Sequence, residues 1–206
     1  MQHLVRLARE PDLTPLYADA WLVVCDSRIL ELLGQAQGLK LRAAPRIDMI
    51  ERLLAGGVDP ADSLTIIGGT AAVIEAVKAR YDLTAVHWHD PPQGLRDKPG
   101  AIADAAAFAA AHPSKITLIA VGSPQQEMVA RAIMDRGDAV GVGLCVGSSL
   151  DLIAASARPA PGWMRKIGLG GLHQKLTRPK GGPGPGLADR IAILGLWFAQ
   201  LRRRKA

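Results

Sequence analysis

Short apolar runs of strand character alternate along this chain with runs of helical character, and glycine or proline marks the turns between them. Ser63 to Ile67 (SLTII) runs into Gly68-Gly69-Thr70 and then the helical stretch Ala71 to Arg80. Leu83 to Trp88 is strand-like, is broken by Pro91-Pro92, and precedes the alanine-rich helix Ala101 to Ala111. Lys115 to Val121 (KITLIAV) leads through Gly122-Ser-Pro-Gln-Gln-Glu127 into a helix from Gln126 to Asp135. Ala139 to Cys145 is a further strand, with a helix near Leu150 to Ala155 after it. Earlier, Leu4 to Leu7 begins a helix that Pro11 interrupts, and Trp21 to Cys25 (WLVVC) reads as a strand ending at Asp26. Ser27 is placed to cap a helix through Leu33, and Met49 to Leu54 reads as a helix that stops at Gly56-Gly57.

This rhythm predicts an α/β fold: a mostly parallel, Rossmann-like sheet with helices on both faces. Crossovers in such a sheet are right-handed, and ligand loops gather at the carboxyl ends of its strands. Asp26, Gly68-Gly69, His87 to Asp90, Gly122 to Glu127 and Gly143 to Ser149 are all expected at such ends. One cleft is therefore expected. Backbone N–H groups at a strand-to-helix turn are unpaired and point outward, which suits a phosphate or a sugar-nucleotide.

The 206 residues are enough for one sizeable domain, expected over residues 1–180. Gly181-Gly-Pro-Gly-Pro-Gly186 reads as a linker, and residues 187–206 as a basic amphipathic helical tail. Cys25 and Cys145 lie in apolar runs without CxxC spacing, as buried, reduced cytosolic thiols do. No signal peptide is evident in Met1 to Asp12. Residues 158–206 carry eleven Lys/Arg against Asp189 alone, while residues 1–157 carry fourteen against eighteen acids. Nine apolar residues, Ile191 to Ala199, are too few to span a bilayer, which needs roughly 20. The tail is expected to lie on an anionic membrane surface with Trp197 and Phe198 inserted, the alternative being a helix packed on the domain. Few aromatics accompany its charge, which argues against a nucleic-acid partner.

Each chemical candidate carries two readings. Asp26 is either a general base for an acceptor hydroxyl or the N-cap of the following helix. Gly68 and Gly69 allow close backbone approach to an anionic group at the Ala71 helix, or form an ordinary βα turn. His89, with His87, suggests a metal site only weakly, because a third ligand group is lacking; loop shaping or sugar hydroxyl contacts suit it better. Gly122, Pro124, Gln126 and Glu127 form a ligand turn, and Glu127 equally offsets its helix dipole. Asp151 is a cap or a ligand contact.

Taken together, Gly122 to Glu127, Gly143-Leu-Cys-Val-Gly-Ser-Ser-Leu-Asp151 and Arg158-Pro-Ala-Pro-Gly-Trp163 resemble the WecG/TagA/CpsF family of bacterial glycosyltransferases. The likeness extends over roughly residues 3 to 180, with Asp26-Ser-Arg28, Gly68-Gly69 and His89-Asp-Pro-Pro-Gln-Gly94 in family order. It implies inverting, metal-free transfer of an N-acetylhexosamine-type sugar, N-acetylmannosamine or its uronic acid, from a UDP donor. The implied acceptor is a polyprenyl-diphosphate-linked saccharide at the cytoplasmic face of the plasma membrane, in exopolysaccharide or envelope synthesis. The family often forms homo-oligomers. Asp26 matches the family's proposed base. Asp48, Gly68, Gly69, His89, Gly122, Pro124, Gln126, Glu127, Asp151 and Arg158 match positions expected to contact substrate.

Some family elements are altered. The Gly-Ser-Asp loop reads Arg46-Ile47-Asp48, and the glutamate, tryptophan and arginine of a later segment read Gly170, Gly171 and Gln174. The family's preceding Thr-x-Asn element would fall just before Met1, implying a misplaced start or an incomplete site. These departures leave room for a second class of function: a degenerate relative that binds a nucleotide-sugar or a partner enzyme at the membrane.

Overall fold

The computed structural model describes residues 2–156 together with Ala192, Ile193, Gly195 and Trp197. The chain divides into two compact units, residues 1–49 with 183–206 and residues 50–182. The boundary therefore follows Met49, and the N-terminal stretch is grouped with the C-terminal one.

In the larger unit, β1 (Leu64–Gly68), β2 (Val86–His89), β3 (Ile116–Ala120) and β4 (Val142–Cys145) form one parallel sheet in the order β2-β1-β3-β4. The α/β expectation holds. Leu64 pairs with both Val86 and Ile116, and Ile116 pairs with Val142, which fixes the register across all four strands. Every residue of β1 is buried, as expected of a central strand covered on both faces.

Helices α5 (Ala71–Tyr81), α6 (Pro99–Ala111), α7 (Gln125–Arg136) and α8 (Ser149–Ser156) follow the four strands in turn. Small side chains let α6 approach closely: Ala105 and Ala109 join Ile67, Leu95, Ile119 and Val129 in one core cluster. Helices α6 and α7 pair with each other, as do α5 and α8. Arg80 of α5 ties the second pair, donating to the Ile153 carbonyl at 2.9 Å and to Glu51 Oε1 at 3.0 Å. Thr70 caps α5 through Val73 N–H, and α7 ends at Gly137 in the left-handed region. Gly141 also has positive φ (+86°), and a Cβ there would collide with the Ser114 and Lys115 carbonyls, so the entry to β4 admits only glycine.

The smaller unit holds α1 (Gln2–Arg9), α2 (Thr14–Ala18), α3 (Arg28–Gln35) and the start of α4 (Arg46–Arg52). A wider turn over Leu53–Gly57 follows α4, ending where the glycine pair was expected to end it. Val5 and Ile193 are buried together, with Ile29, Leu30, Leu33 and Ala192 packed against them.

One expectation needs correction in this unit. Trp21 to Cys25 belongs to no strand, and Trp21 to Val24 are exposed. Strand propensity supplies side chains that suit a sheet, yet a strand forms only where a partner accepts its backbone hydrogen bonds. Trp197 is part-buried, its indole N–H donating to the Leu33 carbonyl at 3.2 Å. The linker at 181–186 and Phe198 lie outside the described residues.

Candidate functional site

The chain runs from β1 outward to β2, then back past β1 to β3. The strand order thus reverses between β1 and β3. A crevice outside the carboxyl ends of two such strands is where open parallel sheets bind ligands. Here the loops at that edge are joined by direct contacts. Gly68 and Gly69 both have positive φ, and a Cβ on Gly68 would sit 2.7 Å from Val121 Cγ1 and 2.9 Å from the Ala120 carbonyl carbon. Only glycine lets the β1 and β3 turns approach this closely. The Gly68 carbonyl accepts a hydrogen bond from Trp88 Nε1 at 3.0 Å, linking β2 to the same point.

On the other side, the Ile119 carbonyl accepts from Val146 N–H at 3.0 Å and Gly147 N–H at 3.3 Å. Cys145 Sγ donates to the Gln126 carbonyl across 3.6 Å, joining β4 to the start of α7. The N-termini of α5, α7 and α8 open at this edge, each contributing unpaired N–H groups and a positive dipole end.

The β3–α7 turn carries the most unusual chemistry. Ser123-Pro124 is a cis peptide, Pro124 is buried, and Gly122 is exposed. Gln126 (2% exposed) and Glu127 (6%) are both buried in the first turn of the helix. Gln126 Nε2 donates to Glu127 Oε1 at 2.6 Å, while Gln126 Oε1 has no hydrogen-bond partner among the described residues. Burial, and then the nearby Glu127 carboxylate, push the Cys145 thiol up to about 12, so it stays protonated at neutral pH.

The profile of the glycosyl transferase WecG/TagA/CpsF family matches residues 1–206, the whole chain. The chain is a member of the WecG/TagA/CpsF glycosyltransferase family. Searches of curated proteins and of solved structures each found no match. Membership makes this a glycosyltransferase of cell-envelope polysaccharide synthesis.

For a WecG/TagA/CpsF-family chain, the other candidate residues fall as follows. Gly68, Gly69, Gly122, Pro124, Gln126 and Glu127 are brought together at the switch point. His89 closes β2 on the flank of this region. Its ring stacks on Phe108 of α6 at 5.1 Å, and Nε2 is buried without a partner among the described residues. Phe108 in turn meets His112 at 4.1 Å, and His112 meets His87 at 4.6 Å, so both strand histidines pack on α6. Among the described residues, no group of three His, Cys, Asp or Glu is placed to hold a metal. Asp151 is exposed in the first turn of α8, and Arg158 lies outside the described residues.

Asp26 and Asp48 belong to the smaller unit. Asp26 is exposed; the capping role belongs to Ser27, whose Oγ accepts from Leu30 N–H at 3.4 Å. Its expected place at a strand end does not hold, since residues 21–25 form no strand. Arg46-Ile47-Asp48 opens α4 instead of forming a loop, leaving Asp48 exposed in its first turn.

Two residues inside the ranges expected at the carboxyl edge take positions there that the sequence did not assign them. The Trp88 side chain points away from the neighbouring histidines and holds the Gly68 carbonyl. Ser149 Oγ is buried at the start of α8 with no partner among the described residues. The alternation of β2 offered a signal for the first; nothing local marked the second.

Proposed function

We propose that this chain transfers an N-acetylhexosamine-type sugar, N-acetylmannosamine or its uronic acid, from a UDP donor to a polyprenyl-diphosphate-linked saccharide. The observation that best supports this reading is the Gly68–Val121 approach at the strand-order reversal, where the β1 and β3 turns meet beside three helix N-termini. Glycine-lined backbone and positive dipole ends favour a diphosphate, and buried Gln126 and Glu127 supply polar groups for ribose or sugar hydroxyls.

The reaction is a single displacement with inversion. The Asp26 carboxylate takes the proton of the acceptor hydroxyl as its oxygen attacks the anomeric carbon. The bond from that carbon to the diphosphate oxygen breaks, and UDP leaves with the bonding pair. Arg158, Arg165 and Lys166 are the cations assigned to the departing charge. The work takes place at the inner face of the plasma membrane, as a peripheral protein; among the described residues no helix is long and apolar enough to cross a membrane.

UDP release with a lipid-linked acceptor, lost in Asp26→Asn, is the expected result. Undiminished release in that variant would remove Asp26 from the mechanism. The helical start of α4 at Arg46-Ile47-Asp48 favours one alternative, a relative that binds the nucleotide-sugar without turning it over. Tight UDP-sugar binding with no UDP release would select it.

A further inference from the structure

Gly68 is buried at the end of β1, where the ladder to β2 runs out of donors. Leu64 N–H donates to the Ala85 carbonyl at 2.9 Å, so residues 64, 66 and 68 turn their backbone groups towards β2, while 65 and 67 turn towards β3. In a parallel ladder each carbonyl accepts from the residue that follows its partner. The register pairs Ile67 with His89, so Gly68 comes opposite Asp90 and its carbonyl falls to the N–H of residue 91. Residue 91 is a proline and has no N–H to give. A buried carbonyl left without a donor is costly. Trp88 makes up the deficit: its Nε1 donates to the Gly68 oxygen at 3.0 Å, from the side of β2 opposite His87 and His89.

We propose that Trp88 is a positioning residue for the site. By holding the Gly68 carbonyl towards β2, it aims the Gly69 N–H into the crevice between β1 and β3, as a donor to the diphosphate of the nucleotide-sugar. The step from one group to the other is covalent. The Gly68–Gly69 peptide is trans, so its C=O and N–H point in opposite directions. With the oxygen fixed on the β2 side, the N–H is fixed on the β3 side, where the strand order reverses. Gly69 is partly buried, and among the described residues its N–H has no backbone partner. Positive φ at both glycines (+93° and +80°) holds the turn in this pose, with no Cβ between the amide and a bound oxygen.

The inference rests on the transferase reading for the identity of that ligand, so its test uses an anion on which the reading does not depend. Inorganic pyrophosphate is titrated into the full-length, 15N-labelled chain while the Gly69 amide resonance is followed. In wild type that resonance is expected to move, and uridine, which carries no phosphate, is expected to leave it in place. Trp88→Phe keeps an aromatic ring and removes the N–H. Pyrophosphate affinity should then fall about tenfold, the effect of one misaimed hydrogen bond to a charged group. Trp88→Phe/Pro91→Ala returns an N–H at the ladder position and should recover most of that loss, which a role in packing alone would not. Circular dichroism checks that each variant is folded. A Gly69 amide that ignores pyrophosphate in wild type overturns the proposal without recourse to any variant. So does unchanged affinity in folded Trp88→Phe, or a loss that the double variant fails to recover. A wild type that takes pyrophosphate at Gly69 but does not bind UDP would count against the proposed function and leave the role of Trp88 standing.

Discussion

Gln126 and Glu127, adjacent in sequence, are both buried in the first turn of α7 and joined by a 2.6 Å side-chain hydrogen bond. A buried carboxylate demands such a donor, because removing it from water without a partner costs more than an ordinary contact returns. The pair therefore stiffens the β3–α7 turn as well as offering polar atoms to a ligand.

Gln126→Leu keeps the volume but deletes the amide that holds Glu127. A hydrogen bond to a charged group is worth about 1.5–3 kcal/mol, so a loss of that order is expected in urea unfolding. Glu127→Gln, which leaves a neutral pair, should cost less. Equal stability of wild type and Gln126→Leu would show that the pair does not hold the turn.

Gly68→Ala and Gly141→Ala separate site from scaffold. Both glycines have positive φ and both added methyls meet backbone atoms, so each variant should lower the melting temperature by several degrees. Gly68 lies at the carboxyl edge and Gly141 at the opposite end of the sheet. UDP binding by the folded fraction, measured calorimetrically, should therefore weaken in Gly68→Ala and persist in Gly141→Ala.

Cys145 predicts both reactivity and alkaline stability. With its thiol pushed up to about 12, almost none is thiolate at pH 8, so iodoacetamide should label Cys145 only after unfolding. The sign of the linkage follows from the raised value. The native thiol keeps its proton where the unfolded one, with an ordinary value of 9.0, has lost it. Its contribution is complete below pH 9 and is lost as pH rises towards about 12. Cys145→Ala should flatten the decline in denaturation midpoint over that window.

Asp26→Asn tests a chemical role against a structural one. The carboxylate is exposed and Ser27 does the capping, so the stability change should stay within about 0.5 kcal/mol. Turnover should fall about 100-fold to 10,000-fold if the carboxylate is the base. A large loss of stability would assign Asp26 to the fold instead.

The sequence made β1 and β3 legible because both are covered on two faces, and two-sided burial writes a continuous apolar run such as ITLIA. Helices α5 and α7 were equally readable from their bounding turns. Trp21 to Cys25 has the same apolar character and forms no strand. What separates it from residues 64–68 is the presence of distant partners at 86–89 and 116–120, which no local pattern encodes. The contact of Trp197 with protein was not legible, because it depends on the Leu33 carbonyl, 164 residues away. Gly68-Gly69 and Gly122 to Glu127 were readable as turns. Their meeting required the strand order, as did the bond from Trp88 to the Gly68 carbonyl.

One oxygen, that of Ile119, holds two successive amides of the following strand's exit, Val146 and Gly147. The rims of β3 and β4 are thereby clamped into a shared plate. Substitutions at Ser148 and Asp151, both exposed at this rim, should leave the clamp beneath them in shape.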